Sequence, residues 1–286
     1  MTVDLRNLPA YLNNDGNFRA WGSGISAQLA AVGLVKTTDA GQVNWATVPG
    51  ASAGGFTGYE IWRFNDSLQA TKPVFIKIEF GAGGLGDRPA LRIQVATATD
   101  GAGTLSGQVG AQRSLSAAAS KSTGIMLPSY CSGSPNRLNL INNFDNATSS
   151  FAMVFMLERT KSADGVSTDD GTICWSQFSN NPGLFQVIPF SGSVPVGNTF
   201  NNALSFEGQL SMVGTKVALS PTVAFLGKPL FASWCIYRHT DIGELVPFTM
   251  EHLGEQHTFM PIGDGIYPTY LTLSGIGYTS MAMLWE

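Results

Sequence analysis

Gly81-Ala82-Gly83-Gly84-Leu85-Gly86 spells G-x-G-x-x-G directly after an apolar alternating run. Glycines at that spacing let backbone N–H groups approach a pyrophosphate, but the chemistry needs a helix to follow, whose N-terminus receives the charge. Here Asp87, Arg88 and Pro89 lead into another alternating run, so the pattern predicts a flexible hairpin loop. His252 and His257 stand five apart in Glu251-His252-Leu253-Gly254-Glu255-Gln256-His257. A helical zinc pair stands four apart, Gly254 interrupts any helix, and no Cys-x-x-Cys supplements the pair, so a polar loop is expected. Asp164, Asp169 and Asp170 offer hard oxygen ligands but lack the D-x-D-x-D-G spacing of a calcium loop. Asp-Gly turns account for them, and whether this loop binds an ion stays open. Cys235 and His239 are four apart, two pleats along a strand and beyond hydrogen-bond reach. No serine is read as a nucleophile elbow. A glycosidase pair forms only in the fold, so the 20 acidic residues carry no information by existing. The chain is read as non-enzymatic, with no cofactor and no metal.

Composition narrows the class further. Only 13% of the residues are charged, against about 25% in an average soluble domain. Gly, Ser, Thr, Asn and β-branched residues take their place, which suits a β surface covered by neighbours. Net charge is −4 with no long basic run, which argues against nucleic-acid binding. The opening MTVDLRNLPAYLNND lacks a positive n-region and an apolar core, so no secretory signal is expected. No run of 18 apolar residues exists, so no membrane span is expected. Cys131, Cys174 and Cys235 are expected to be reduced and mostly buried. Among the tryptophans (21, 45, 62, 175, 234 and 285), Trp285 ends an apolar tail from Met281 that a free terminus would have difficulty hiding.

The elements that would position these groups follow from periodicity. Phe18, Trp21, Ile25, Leu29 and Val32 recur at helical spacing, with Asp15 or Asn17 as cap and Gly33 as the closing residue. Gly22 and Gly24 each cost this helix about 1 kcal/mol against Ala, so it must dock its apolar face, either on its own domain or on a neighbouring subunit. From residue 51 the period becomes two. Strands are expected at Tyr59–Phe64, Val74–Phe80 and around Leu91, Ile93 and Val95, with a hairpin from Phe151–Leu157 to Thr172–Trp175. Leu184–Phe190, Thr215–Leu219, Val223–Leu226, Leu230–Tyr237, Thr258–Ile262 and Tyr270–Leu273 supply more. Gly101–Thr123, rich in Gly, Ser and Ala, reads as a long exposed excursion. The fold class is therefore all-β: a sandwich or jelly-roll-like domain with one short N-terminal amphipathic helix. Residues 1–50 form an arm and docking helix, and 51–286 a β domain loosely split near 101–125.

Phe18-Arg19-Ala20-Trp21-Gly22, Leu29–Leu34, Thr38–Gln42 and Trp45-Ala46-Thr47, followed by Gly58–Phe64 and Pro73–Glu79, resemble the opening of a group of tailed-bacteriophage virion proteins. The resemblance covers about the first hundred residues. It implies a structural subunit, made in the host cytoplasm and built into the virion as a tail or baseplate component. Capsid decoration is the alternative, and a receptor- or glycan-binding module a second one. Implied partners are other virion proteins, copies of itself and a host surface glycan or receptor. Phe18, Trp21, Ile25, Leu29 and Trp285 are the expected assembly-interface residues.

Overall fold

The fold is a β-sandwich with one helix, seen in a computed structural model. The structure describes residues 2–117, 121–142, 153–161, 166–177 and 186–190, and short strands after residue 203. One sheet holds six strands: β1 (Thr2–Pro9), β7 (Met126–Ser134), β8 (Arg137–Asn142), β9 (Met153–Lys161), β10 (Ser167–Gln177) and β11 (Gln186–Pro189), in that spatial order. The other holds five: β2 (Val35–Lys36), β3 (Phe56–Arg63), β4 (Phe75–Ala82), β5 (Pro89–Thr99) and β6 (Leu105–Ser116). Every strand pair is antiparallel. Period-two alternation sends Ile76, Ile78, Phe80, Leu91, Ile93 and Val95 to the inner face, where they meet Cys131, Leu138, Leu140, Phe155, Leu157 and Ile173 of the six-stranded sheet in one core.

The helix α1 (Asp15–Ala31) enters that same core. Asn14, rather than Asp15 or Asn17, caps it: its side-chain oxygen accepts from the Asn17 N–H at 2.8 Å. Asp15 instead accepts from the Gly50 N–H at 2.8 Å. Gly33, at φ 96°, follows the helix in the left-handed region. Phe18, Trp21, Ile25 and Leu29 are all 0% exposed within the chain itself. Of the two docking partners open to this face, the chain's own sheets receive it, and these four side chains are closed to a neighbouring subunit. Trp285 lies outside the described residues.

The helix glycines have a packing reason that propensity does not reveal. A Cβ on Gly22 would sit 2.0 Å from the Trp45 ring, and one on Gly24 would sit 2.3 Å from Leu8. Trp45 in turn stacks edge-on against Phe80 at 4.8 Å, and Phe80 meets Trp21 at 5.8 Å. The helix is thus wedged between β1 on one side and the Trp45 loop on the other. Since β1 pairs with β7 along its whole length, residues 2–50 are built into the sandwich core.

Two buried polar clusters fasten the wedge. Glu60 on β3 is 0% exposed. Its Oε1 accepts from Ser26 Oγ at 2.9 Å, Lys36 Nζ at 2.6 Å and Trp45 Nε1 at 2.9 Å, and its Oε2 from Trp62 Nε1 at 3.1 Å. On the other side of α1, Trp21 Nε1 donates to Asn142 Oδ1 at 2.9 Å, Asn142 Nδ2 to Ser129 Oγ at 3.0 Å, and Ser129 Oγ to Gln28 Oε1 at 2.7 Å. Both clusters satisfy groups that would otherwise be costly to bury.

The sequence-expected strands before residue 190 appear with boundaries moved by a few residues. Gly101–Thr123 departs more. Most of it is β6, paired with β5 across a register shift between Ile93 and Val95. Leu105, Val109 and Leu115 are buried while most of the residues between them are exposed. The run looked like a loop because its apolar positions are widely spaced and glycines interrupt the period. Asp170-Gly171 is likewise not a reversal: both residues lie in β10, where the register with β9 shifts. Farther on, Trp234–His239, Tyr278–Leu284 and Glu255–Pro261 are consecutive neighbours in a further sheet, so the backbone of the apolar tail is a strand paired on both sides. Tyr270–Leu273 lies outside the described residues.

Loops 37–43 and 99–104 cover the outer face of the five-stranded sheet. Asp39 accepts from Thr99 Oγ1, Lys77 Nζ donates to the Gly103 carbonyl at 2.8 Å, and Tyr59 Oη donates to the Ala40 carbonyl at 2.6 Å. Burial pushes the Asp39 carboxyl up, but hydrogen bonds from Thr37, Thr99 and Gly103 outweigh it and leave the group below the ordinary aspartate range. A depressed carboxylate contributes stability above its unfolded pKa that is lost as pH falls through its folded one. An NMR titration should therefore find Asp39 ionising below the usual aspartate midpoint, with the 37–43 loop loosening only as it protonates. Gly22→Ala should lower stability by about 1–3 kcal/mol in denaturant unfolding, despite the better helix propensity of alanine, because the new methyl overpacks Trp45.

Candidate functional site

α1 fills the sandwich on the β1–β3 side. Away from the helix, where β6 lies against β9 and β10, the sheets enclose a cleft of ≈ 480 Å³. That lies within the range of small-molecule sites, about 300–1,000 Å³. Val74, Val95 and Val109 from the five-stranded sheet side and Phe190 after β11 supply apolar wall. Thr71, Lys72, Thr97 and Asp169 form an exposed polar rim, with Lys72 Nζ 3.3 Å from Asp169 Oδ2. Phe190 is placed by Gly171: the Phe190 N–H donates to the Gly171 carbonyl at 2.8 Å, and a Cβ on Gly171 would meet the ring at 2.4 Å.

Arg159, which also lines the cleft, is its most unusual member. It sits on β9 at the inward position that follows Phe155 and Leu157, where an alternating strand would place another apolar residue. Its side chain is 0% exposed and pairs with Asp66, Nε to Oδ2 at 2.5 Å. Nη2 donates to the Lys72 carbonyl at 2.7 Å, and the guanidinium lies 5.5 Å from the Phe64 ring. Asp66 follows β3, so this pair ties one sheet to the other. Nη1 remains buried without a hydrogen-bond partner. Asp170, 8% exposed, accepts from the Gly171 N–H at 2.8 Å on the same side of the cleft.

Sequence reading singles out Asp169 and Asp170 as candidate calcium ligands and does not reach Arg159 at all. The structure puts all three at one cleft, with Asp169 held by Lys72. Among the described residues no group of three or more His, Cys, Asp or Glu side chains could hold a metal ion. Asp164 lies outside them. The only signal for Arg159 is a charge at the inward end of an apolar strand, in Phe151–Arg159.

The other candidates fall apart in space. Gly81–Gly86 ends β4 and forms the hairpin loop into β5, with the Gly86 N–H donating to the Gly83 carbonyl at 2.7 Å. His252 and His257 lie on the paired strands Phe248–His252 and Glu255–Pro261. Cys235 and His239 share the strand Trp234–His239. Cys131 is fully buried, and burial pushes its thiol far up, so it stays protonated and inert. One motif escapes the sequence reading: Gly50-Ala51-Ser52-Ala53-Gly54 is a G-x-S-x-G match. Its context is wrong for a nucleophile elbow, since Ser52 sits in an exposed loop and β3, not a helix, follows.

A scan against protein-family models, a search of curated proteins and a search of solved structures each return no match. The fold and the cleft therefore stand on their own physics. Arg159→Ala should destabilise the protein by about 3–5 kcal/mol in chemical denaturation, because it strands the Asp66 carboxylate between the sheets.

Proposed function

We propose that this chain is a non-enzymatic structural subunit of a tailed-bacteriophage virion, a tail or baseplate component that binds neighbouring subunits. The observation that carries this reading is the β1 edge. β1 ends the six-stranded sheet, so its second row of backbone groups has no partner strand among the described residues. Val3 and Leu5 share one face with Tyr130 and Met126 across the β1–β7 register, turned away from α1. Leu5 is 58% and Met126 49% exposed, and neighbouring Ile125 is 41% exposed. An open strand edge beside an apolar band is a surface that proteins normally protect or use for pairing.

The resemblance of residues 18–79 to phage virion proteins and the low charge support the same reading. The interface proposed for assembly is therefore Val3, Leu5, Ile125, Met126 and Tyr130, in place of the buried helix face. Capsid decoration would use the same edge and differs in copy number and position.

Immunogold electron microscopy of purified particles, with antibody against this chain, tests the assignment. Label at the tail end is the expected result. Label over the head would replace it with capsid decoration. Absence of both label and peptide, the latter by particle mass spectrometry, would overturn the virion reading.

A further inference from the structure

Resting on the reading of the β1 edge as an assembly surface, we propose that its partner is the β1 edge of a second copy of this chain, paired antiparallel about a two-fold axis at Leu5. The other outer strands of the two sheets carry features that discourage pairing. β2 is two residues long, and β11 is four and ends on Pro189. β6 pairs with β5 across a register shift and holds Gly107 and Gly110 at φ 65° and 68°. β1 differs from all three. Its eight residues pair with β7 without a register shift, and its proline, Pro9, stands at the very end.

The register follows from which backbone groups are free. The Ala10 N–H donates to the Ile125 carbonyl at 3.0 Å, continuing the β1–β7 register by one pair. Hydrogen-bonded and non-hydrogen-bonded pairs alternate along an antiparallel ladder. The even-numbered residues of β1 therefore bond to β7, and the N–H and C=O groups of Val3, Leu5 and Asn7 point outward. A second copy must bond to those outward groups. Of the registers that do so and keep most of the strand paired, one sets Asp4 against Asp4 and another sets Arg6 against Arg6. Like charges directly opposite are destabilising. The register between them sets Leu5 against Leu5, and Asp4 of each copy against Arg6 of the other. Those charge pairs fall at non-hydrogen-bonded positions, where side chains approach closest. Within one strand Arg6 Nε already donates to Asp4 Oδ1 at 2.7 Å, so both charges lie on one face, and across the axis they alternate in sign. Leu5, 58% exposed on the opposite face, is covered by its counterpart. The six-stranded sheet then runs unbroken from one copy into the other.

Sedimentation equilibrium of the full chain should show a reversible dimer. Asp4→Arg and Arg6→Asp each set like charges across the axis, and each should weaken the dimer at least about tenfold. An equimolar mixture of the two variants sets opposite charges across the axis again. It should recover the dimer, although neither chain keeps an Asp4–Arg6 pair of its own. Leu5→Pro removes an outward N–H that β7 does not use, and should abolish the dimer while circular dichroism shows a folded chain. A wild-type chain that stays monomeric at every concentration overturns the proposal. So does a dimer that survives Leu5→Pro, or a variant mixture that fails to associate. The particle assignment fails separately. A dimer whose chain is absent from particles overturns the virion reading and leaves self-pairing standing, whereas a chain found in particles but monomeric when free overturns self-pairing alone.

Discussion

A single carboxylate holds the helix side of this molecule together. Glu60 is sealed from water, where an unpaired charge would be prohibitive, and is tolerated because four donors from four segments converge on it. Ser26 comes from the helix, Lys36 from the shortest strand, Trp45 from the long connection and Trp62 from the same strand as the carboxylate itself. The two indole donors are held by apolar packing: Trp45 against Phe18 and Phe80, Trp62 within the main core. The geometry of that cluster sets how deeply α1 enters the sandwich. It also explains why residue 22 must be glycine, since Trp45 can reach Glu60 only by crossing the helix surface there.

Arg159 and Asp66 play the corresponding part away from the helix, joining β9 to the segment after β3. A chain with few charges thus places Glu60 and the Arg159–Asp66 pair between layers, where each is tolerated because it is paired. The two fastenings differ in completeness. Every oxygen of Glu60 is engaged, whereas one nitrogen of Arg159 is not. A fully satisfied cluster acts as a brace, whereas the Arg159 pair leaves one donor buried without a partner.

Part of the fold was legible from periodicity, because β4 alternates buried and half-buried residues along most of its length. Ile76, Ile78 and Phe80 announce β4, and Phe18, Trp21, Ile25 and Leu29 announce α1. What the sequence could not reveal was the destination of that helix face, since a buried stripe reads the same whether its receiver is the chain itself or another subunit. Strand β6 was illegible for a different reason: the two-residue period breaks at a bulge, and glycines occupy positions that partner close-packed neighbours. The cleft was nearly invisible. Its members come from segments between Thr71 and Phe190, and only topology brings them together. Asp169 and Asp170 line this cleft beside Arg159, and carboxylates of a rim and of a cation loop look alike in sequence until their partners are known.

The bond from the Trp21 indole to Asn142 spans 121 residues. During synthesis the helix segment leaves the ribosome long before its receiving surface exists, by on the order of ten seconds at ordinary translation rates. With glycines at two interior positions, that segment gains little from helix formation alone. It must wait as an undocked apolar stretch carrying Phe18, Trp21, Ile25 and Leu29. Over that interval the stretch needs shielding, and its docking cannot be completed before Asn142 has been made.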